Sequence, residues 1–379
     1  MNKHPTLSLP SKLKAQDLSF AGKKVLIRVD YNVPLKKDGT IADDTRIRAS
    51  LPTLDLVLKG GGAVVLIAHL DNPTSKQDVH LSLGICAKRL AELIPSPVRF
   101  ATDCVGKDVD KLIQELKGGE VLLLENLRFY PAEKDPNLDP TFAASLAKGL
   151  DYYINDAFGS AHRAHSSTTT VTQYFPGRAA MGLHLQEELA HLYPLLTNPK
   201  RPFFALVGGA KIAAKLPLLQ SLISRIDALF IGGGMALPFL YTPTDETRIV
   251  VQLCQEKQIP LYLPQDLVTA KEYDWRGVDI GPQTIASWGE HLKEASTVFW
   301  NGPLGITEIP AYAKGTEGIA VILAALSATT VIGGGDSVAA IRGLGLADKF
   351  THLSTGGGAT LTLLECGTLP AVEALTEVK

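Results

Sequence analysis

The chain has 379 residues, 45% of them hydrophobic and 20% charged, with a formal net charge of −2. That length exceeds one ordinary core, so two domains are expected. The near-neutral charge argues against bulk binding to nucleic acid or to a membrane surface. The longest apolar stretch, residues 319–326, is far short of a bilayer span, and the N-terminal segment lacks the apolar h-region of a secretory signal. The expected setting is therefore cytoplasmic. Cys86, Cys104, Cys254 and Cys366 lack CxxC spacing and read as reduced structural thiols.

Along the chain, short β-branched runs alternate with helical stretches, the pattern of parallel strands in an α/β fold. In the first half these runs end in charged and imidazole residues. KVLIRVDYN (24–32) ends on Arg28, Asp30 and Asn32, with Arg46 soon after. AVVLIAHLDN (63–72) ends on His69, VLLLENLRF (121–129) on Arg128, and YYINDAFGSAHRAH (152–165) on Arg163 and His165. Guanidinium groups suit bidentate binding of carboxylate and phosphate. His69 reads either as a satisfied turn residue or, beside several arginines, as an anion ligand. His162 and His165 also invite a metal reading, which no neighbouring cysteine or acidic cluster supports.

Residues 181–198 place Leu185, Leu189, Leu192, Leu195 and Leu196 at helical spacing before NPKRP (198–202) breaks the helix. This is either a connecting helix or an ordinary helix of one large sheet. The favoured fold is α/β, two Rossmann-like domains with parallel sheets joined by a connecting helix and hinge.

In the second half the runs end in glycine: FFALVGGAK (203–211), ALFIGGGM (228–235), VIGGGDS (331–337) and LSTGGG (353–358). Glycine lets backbone N–H groups approach a phosphate without a Cβ in the way. Neither the P-loop spacing nor G-x-G-x-x-G is present, which disfavours a nicotinamide site. A helix opening after Gly209 would put Lys211 and Lys215 on one face, as phosphate ligands or as solvated surface lysines. Asp336 after the third glycine run reads as a Mg²⁺ ligand, as a helix N-cap, or as both. Ligands of such sheets bind beyond the carboxyl ends of the strands. One half offers cations and the other bare backbone, which points to phosphoryl transfer between a nucleotide and a small acid.

RVDYNVP (28–34), DDTRIRASLPTL (43–54), LLENLRFYPAE (123–133), NDAFGSAHRAHSS (155–167), GGAK (208–211), IGGGMA (231–236), WNGPLG (300–305), GGGDS (333–337) and STGGGA (354–359) together resemble the phosphoglycerate kinase family, in order and along nearly the whole chain. The resemblance implies an acid-substrate domain over 1–182, a connecting helix over 183–200, a nucleotide domain over 201–367, and a tail over 368–379 that returns to the first domain. It implies reversible transfer between 1,3-bisphosphoglycerate and ADP, giving 3-phosphoglycerate and ATP, in a monomer that uses Mg²⁺ and binds neither nucleic acid nor membrane. Asp30, Tyr31, Asn32, Arg46, His69, Asn72, Arg128 and Arg163 fall in the acid-binding positions. Gly209, Ala210, Lys215, Gly233, Gly234, Asn301, Pro303, Gly334, Gly335, Asp336 and Ser337 fall in nucleotide-binding ones, with Glu308 on the ribose and Asp336 on the metal. Arg46, Lys211 and Lys215 would be catalytic, and Gly356, Gly357 and Gly358 would turn N–H groups toward the transferring phosphoryl.

Three departures stand out. The loop after His69 reads Leu70-Asp71-Asn72-Pro73, without the family's arginine; position 214 is Ala; and the segment between Leu240 and Ile259 is short. The first departure implies weaker acid binding, recovered in part by Asn72→Arg, and motivates an alternative, a low-turnover nucleotide-binding paralogue acting through interactions.

Overall fold

The computed structural model describes residues 11–76, 78–273 and 276–378. The chain forms two compact units. One takes in the described residues up to Ala190 together with those from Thr368 on; the other is His191–Gly367.

The first unit is built on β1 (Lys24–Arg28), β2 (Ala63–Ile67), β3 (Val98–Phe100), β4 (Val121–Leu123), β5 (Tyr152–Asn155) and β6 (Ala179–Met181), all parallel, in the order β3-β4-β2-β1-β5-β6. Parallel pairing requires crossovers, here supplied by α1 (Thr45–Lys59), α2 (Gly84–Leu93), α3 (Lys107–Glu115) and α4 (Phe142–Ala147). Every residue of β2 is buried, because helices cover both faces of such a sheet. One core joins Val25, Ile27, Val64 and Leu66 of the strands to Ile47, Leu54 and Val57 of α1. The C-terminal stretch is stitched into this unit: Leu13 N–H donates to the Thr376 carbonyl (2.8 Å), Thr376 N–H to Ala179 (3.0 Å) and Ala371 N–H to Ala161 (3.1 Å).

The run of leucines forms α5 (Leu183–Thr197), with all five of the spaced leucines buried. The division between the units falls within it. Buried Asp156 caps its start, accepting N–H bonds from His184 (2.9 Å) and Leu185 (3.2 Å).

In the second unit β7 (Phe203–Val207) leads through α6 (Leu216–Ile223) to β8 (Ala228–Ile231), and α7 (Leu237–Leu240) and α8 (Asp245–Lys257) lead to β9 (Leu261–Tyr262). An antiparallel hairpin, β10 (Leu267–Ala270) and β11 (Arg276–Ile280), stands apart from the main sheet. Then come α9 (Pro282–Leu292), β12 (Thr297–Asn301), α10 (Lys314–Ala324), β13 (Thr329–Gly333), α11 (Gly335–Gly343), β14 (His352–Leu353) and α12 (Gly357–Cys366). The main sheet has the order β14-β13-β12-β7-β8-β9, all parallel, over a core that includes Phe230, Trp288, Trp300 and Ile319. The short segment after Leu240 is a turn followed by α8, which Thr244 caps by accepting from Thr247 N–H. Cys86, Cys104 and Cys254 are buried thiols; Cys366 is exposed.

Candidate active site

In the first sheet the chain order reverses at β1, with β2 on one side and β5 on the other, and ligands of parallel sheets bind beyond the strand ends at such a reversal. Arg28 closes β1 with its side chain wholly buried. It donates through Nε to Ser167 Oγ (2.9 Å), through Nη2 to His69 Nδ1 (2.9 Å), and through Nη1 to the Val29 carbonyl. The Ser167 hydroxyl in turn donates to Glu133 Oε1 (2.6 Å), a fully buried carboxylate. Each guanidinium nitrogen of Arg28 thus donates to the protein, which makes Arg28 a support.

A guanidinium only donates, so His69 Nδ1 is the acceptor and the ring proton sits on Nε2. Burial first, then the positive charges of Arg28, Arg128, Arg46 and Arg163, hold the His69 pKa well below its ordinary value. At neutral pH His69 therefore offers an N–H rather than a charge.

Asp30 pairs with Arg46 and accepts the Asn32 N–H at 3.2 Å. Asn32 Oδ1 accepts from Asp71 N–H at 2.8 Å, where the Asp71 backbone takes a left-handed φ of 51°. Arg128 stands on a short turn capped by Asn126 and donates through Nη1 to the Asp71 carbonyl (2.7 Å) and to Asn72 Oδ1 (2.8 Å). Its Nε is buried without a protein partner. Burial, then Arg163 and Arg28, pull its pKa down to about 10. Exposed Arg163 donates to His162 Nε2 at 3.2 Å. Cations outnumber carboxylates here, and a buried donor lacks an acceptor; both call for an anion.

The structure brings Asp30, Asn32, Arg46, His69, Arg128 and Arg163 into one neighbourhood but turns the Tyr31 side chain away. The Tyr31 ring belongs to the core and its hydroxyl meets Ser50 Oγ at 3.0 Å, because side chains alternate across extended backbone and Asp30 and Asn32 take the other side. Asn72 holds Arg128 and leaves its side-chain oxygen spent. Buried His165 lies 3.7 Å from Glu133, and neither it nor His162 joins a metal-capable group among the described residues.

The second sheet reverses between β7 and β12. Lys215 bridges these two strand ends: Nζ donates to the Gly208 carbonyl (2.8 Å), the Asn301 carbonyl (3.1 Å) and Asn301 Oδ1 (2.6 Å). Burial pulls its pKa down to about 8, against the opposing pull of Asp336. The helical pairing of Lys211 with Lys215 does not form. Lys211 is exposed in the loop, a 3-10 turn spans Ala213–Lys215, and α6 begins only at Leu216, with Pro217 in its first turn where a missing N–H costs nothing. Gly302 follows β12 with φ of 93°; a Cβ there would lie 2.4 Å from the Gly208 carbonyl oxygen and 2.6 Å from Lys215 Nζ.

Beside these turns lies a cavity of about 660 Å³. Gly209, Ala210, Gly233, Gly234, Pro303, Glu308 and Asp336 line it, as do Leu237, Glu272, Tyr273, Gly277, Val278 and Ile306, which the sequence reading did not single out. The Glu272 carboxylate accepts a hydrogen bond from the Tyr312 hydroxyl, and the Tyr273 and Tyr312 rings meet edge to face, 6.2 Å apart. A tyrosine–carboxylate pair at the tip of a two-stranded hairpin was the available signal.

At α11 the N-cap is Gly334, with φ of 96°, and Asp336 sits in the first turn, so the capping alternative falls away. Ser337 is buried with its hydroxyl unpartnered. The Gly356 N–H is already taken by Ser354 Oγ (3.3 Å), leaving those of Gly357 and Gly358, which open α12, among the first-turn donors of that helix. Exposed Asp336, on the cavity wall at a helix N-terminus where phosphates also bind, suits a Mg²⁺ ion held by one carboxylate, phosphate oxygens and water.

A model of the phosphoglycerate kinase family matches residues 15–367. The chain is 44% identical over 396 residues to the phosphoglycerate kinase of Moorella thermoacetica, covering 97% of this chain and 100% of that protein. It is 44% identical over 395 residues to that of Dictyoglomus turgidum, covering 96% and 98%. Its structure is similar to the phosphoglycerate kinase of Pyrococcus horikoshii OT3 (TM-score 0.85, 29% identity, 96% of this chain and 98% of that one). It is also similar to that of Coxiella burnetii (TM-score 0.82, 31% identity, again 96% and 98%).

Proposed function

The chain belongs to the phosphoglycerate kinase family, and from that membership we propose how its residues carry the family's reaction. It is a phosphotransferase that moves a phosphoryl group reversibly between 1,3-bisphosphoglycerate and ADP, giving 3-phosphoglycerate and ATP. The bond broken joins phosphorus to the acyl oxygen, and the bond formed joins phosphorus to a terminal oxygen of ADP. The leaving group is a carboxylate, which needs no proton. Positioning and charge are then the whole of the protein's task.

Arg46, Arg128 and Arg163 bind the acid's anionic groups, and His69 donates Nε2–H to one of its oxygens. Asp30, Asn32, Arg28 and Glu133 hold those groups in place. Asn72, whose identity motivated a low-turnover reading, serves the same end by anchoring Arg128. The nucleotide occupies the cavity lined by Gly209, Gly233, Gly234 and Pro303, with Glu308 as acceptor for ribose hydroxyls. Asp336 holds Mg²⁺, which neutralises phosphate charge when bound. Lys215 exchanges its carbonyl partners for the transferring phosphoryl, and Gly357 and Gly358 add N–H donors to the developing charge. The enzyme works as a cytoplasmic monomer, which sedimentation would test; no helix among the described residues is long and apolar enough to cross a membrane.

The observation that carries this reading is the pair of strand-end sites: an orphaned guanidinium donor among cations at one, and a glycine-lined cavity with a carboxylate and a lysine at the other. A coupled assay tests it. ATP should form from 1,3-bisphosphoglycerate and ADP, stop on chelation, and return with added Mg²⁺. Turnover that survives chelation would remove Asp336 from its role.

A further inference from the structure

Asp279 is a buried acid that the proposed reaction leaves unused. It lies on β11 directly after Gly277 and Val278, which line the nucleotide cavity, and is 2% exposed. Its Oδ2 accepts the N–H of Gly315 (2.7 Å), in the first turn of α10, and its Oδ1 accepts the N–H of Ile280 (2.9 Å). The loop between β12 and α10 rests directly on this carboxyl group. A Cβ on Gly305 would lie 2.3 Å from Asp279 Oδ1 and 2.2 Å from the Tyr312 carbonyl, and one on Gly315 2.2 Å from Asp279 Oδ1. That loop carries Pro303, Gly305, Ile306 and Glu308 to the cavity wall. A second fastening, Leu304 N–H to Thr316 Oγ1 (2.9 Å), ties it to the same turn of α10.

We propose that the ionised Asp279 carboxylate is a positioning residue for the nucleotide, setting where residues 303–308 stand by gripping the start of α10 beneath them. This rests on the nucleotide reading of the cavity.

The electrostatics fit such a role. Burial outweighs the two N–H donors and pushes the Asp279 pKa up to about 6. Glu317 on α10 raises it further and is itself paired with Lys314 at 2.7 Å. From the loop the Tyr312 carbonyl approaches, its hydroxyl being spent on Glu272, and β10 sets uncharged Val268 opposite. The folded pKa lies above the ordinary carboxylate value, so folding favours the protonated form. That contribution is complete below about pH 4 and is lost as pH rises through about 6. Ionised Asp279 therefore costs stability at neutral pH, as groups kept for a site rather than for the fold commonly do.

The test compares MgADP dissociation constants of the wild type and Asp279→Asn by calorimetry from pH 5 to pH 8. The phosphates and Lys215 titrate alike in both proteins, so the ratio isolates Asp279. The variant should bind about tenfold more weakly at pH 8, the scale of one charge-assisted hydrogen bond. The ratio should fall toward one by pH 5, with 3-phosphoglycerate affinity equal in both. Equal ADP affinities at pH 8, or a ratio that does not change with pH, overturns the proposal. Amide exchange in the wild type gives an independent reading should the variant fold poorly. Protection of the Gly315 N–H, corrected for intrinsic rate, should drop as pH falls through about 6; constant protection also overturns it. A folded wild type that binds no MgADP at pH 8 would instead defeat the nucleotide reading of the cavity.

Discussion

At the end of β1 the anion site is made of side chains, four guanidiniums and a neutral imidazole, with Arg46 held by buried Asp30 and Arg28 by buried Ser167, itself bonded to Glu133. At the ends of β7 and β12 the site is made of backbone, with Lys215 fixed by two carbonyls and an amide and the cavity walled by glycine. Both occupy the reversal point of a six-stranded parallel sheet, so one sheet architecture supports two ways of meeting a phosphate. The first depends on charge and fork geometry, with Gly159 kept bare where a Cβ would lie 2.2 Å from Asp30 Oδ2. The second depends on the absence of a Cβ and concentrates its mobile charge in one residue. The two should therefore fail differently when altered.

The largest loss is expected at Lys215. Lys215→Ala should lower kcat by roughly 10²-fold or more, the scale of one transition-state donor, while KM for ADP changes far less. A kcat within about threefold of the parent would remove Lys215 from the transition state. Its depressed pKa adds a pH signature. The ammonium is lost as pH rises through about 8, so kcat/KM, which reports the free enzyme, should fall on that alkaline limb, and Lys215→Arg should abolish the limb. A flat profile to pH 9 would show that Lys215 does not titrate there.

Next in size is the contrast between a lost charge and an added methyl. Arg128→Ala should raise KM for 3-phosphoglycerate by roughly 10- to 100-fold, as expected when a charged donor to an anion is removed. Gly302→Ala should raise KM for ADP about tenfold, since a Cβ 2.4 Å from the Gly208 carbonyl oxygen must shift the turn beside the nucleotide cavity. Each change should spare the other ligand. Crossed effects, with Gly302→Ala weakening the acid alone, would erase the distinction between the sites.

Asn72 tests the cationic site more finely. The sequence suggested that an arginine there would tighten acid binding. The structure reverses that expectation, because Asn72 Oδ1 is an acceptor for Arg128, whose own charge is already opposed by Arg163 and Arg28. Asn72→Arg removes the acceptor and adds a like charge, so KM for 3-phosphoglycerate should rise a few-fold, by about 1 kcal/mol. A lower KM would restore the earlier expectation. The smallest effect is expected from Tyr273→Ala at the cavity edge: a two- to threefold rise in KM for ADP, fitting a ring 39% exposed that offers only partial apolar contact. An unchanged KM would place Tyr273 outside the occupied part of the cavity.

The sheets and their strand ends were legible because buried parallel strands read as continuous apolar runs, and because charge or glycine directly after such a run has few structural uses. What stayed hidden had both local and remote causes. Tyr31 sits between two site residues yet points into the core, a consequence of strand alternation that a motif match ignores. The helical pairing of Lys211 with Lys215 failed because Pro217 delays the helix by several residues. Glu272 and Tyr273 reach the cavity only through the hairpin of β10 and β11, and Asp279 meets Gly315 across 36 residues. The Asp279–Gly315 contact has no local signature.

The division of labour between the two sites is tested most directly by hydrogen–deuterium exchange with each ligand alone. With 3-phosphoglycerate, protection should rise at residues 30–32, 69–72, 127–129 and 159–165. With MgADP it should rise at 208–210, 302–308 and 334–338, leaving the first set unchanged. An MgADP footprint on the segments around Arg128 and Arg163, or an acid footprint on the glycine turns, would contradict the assignment.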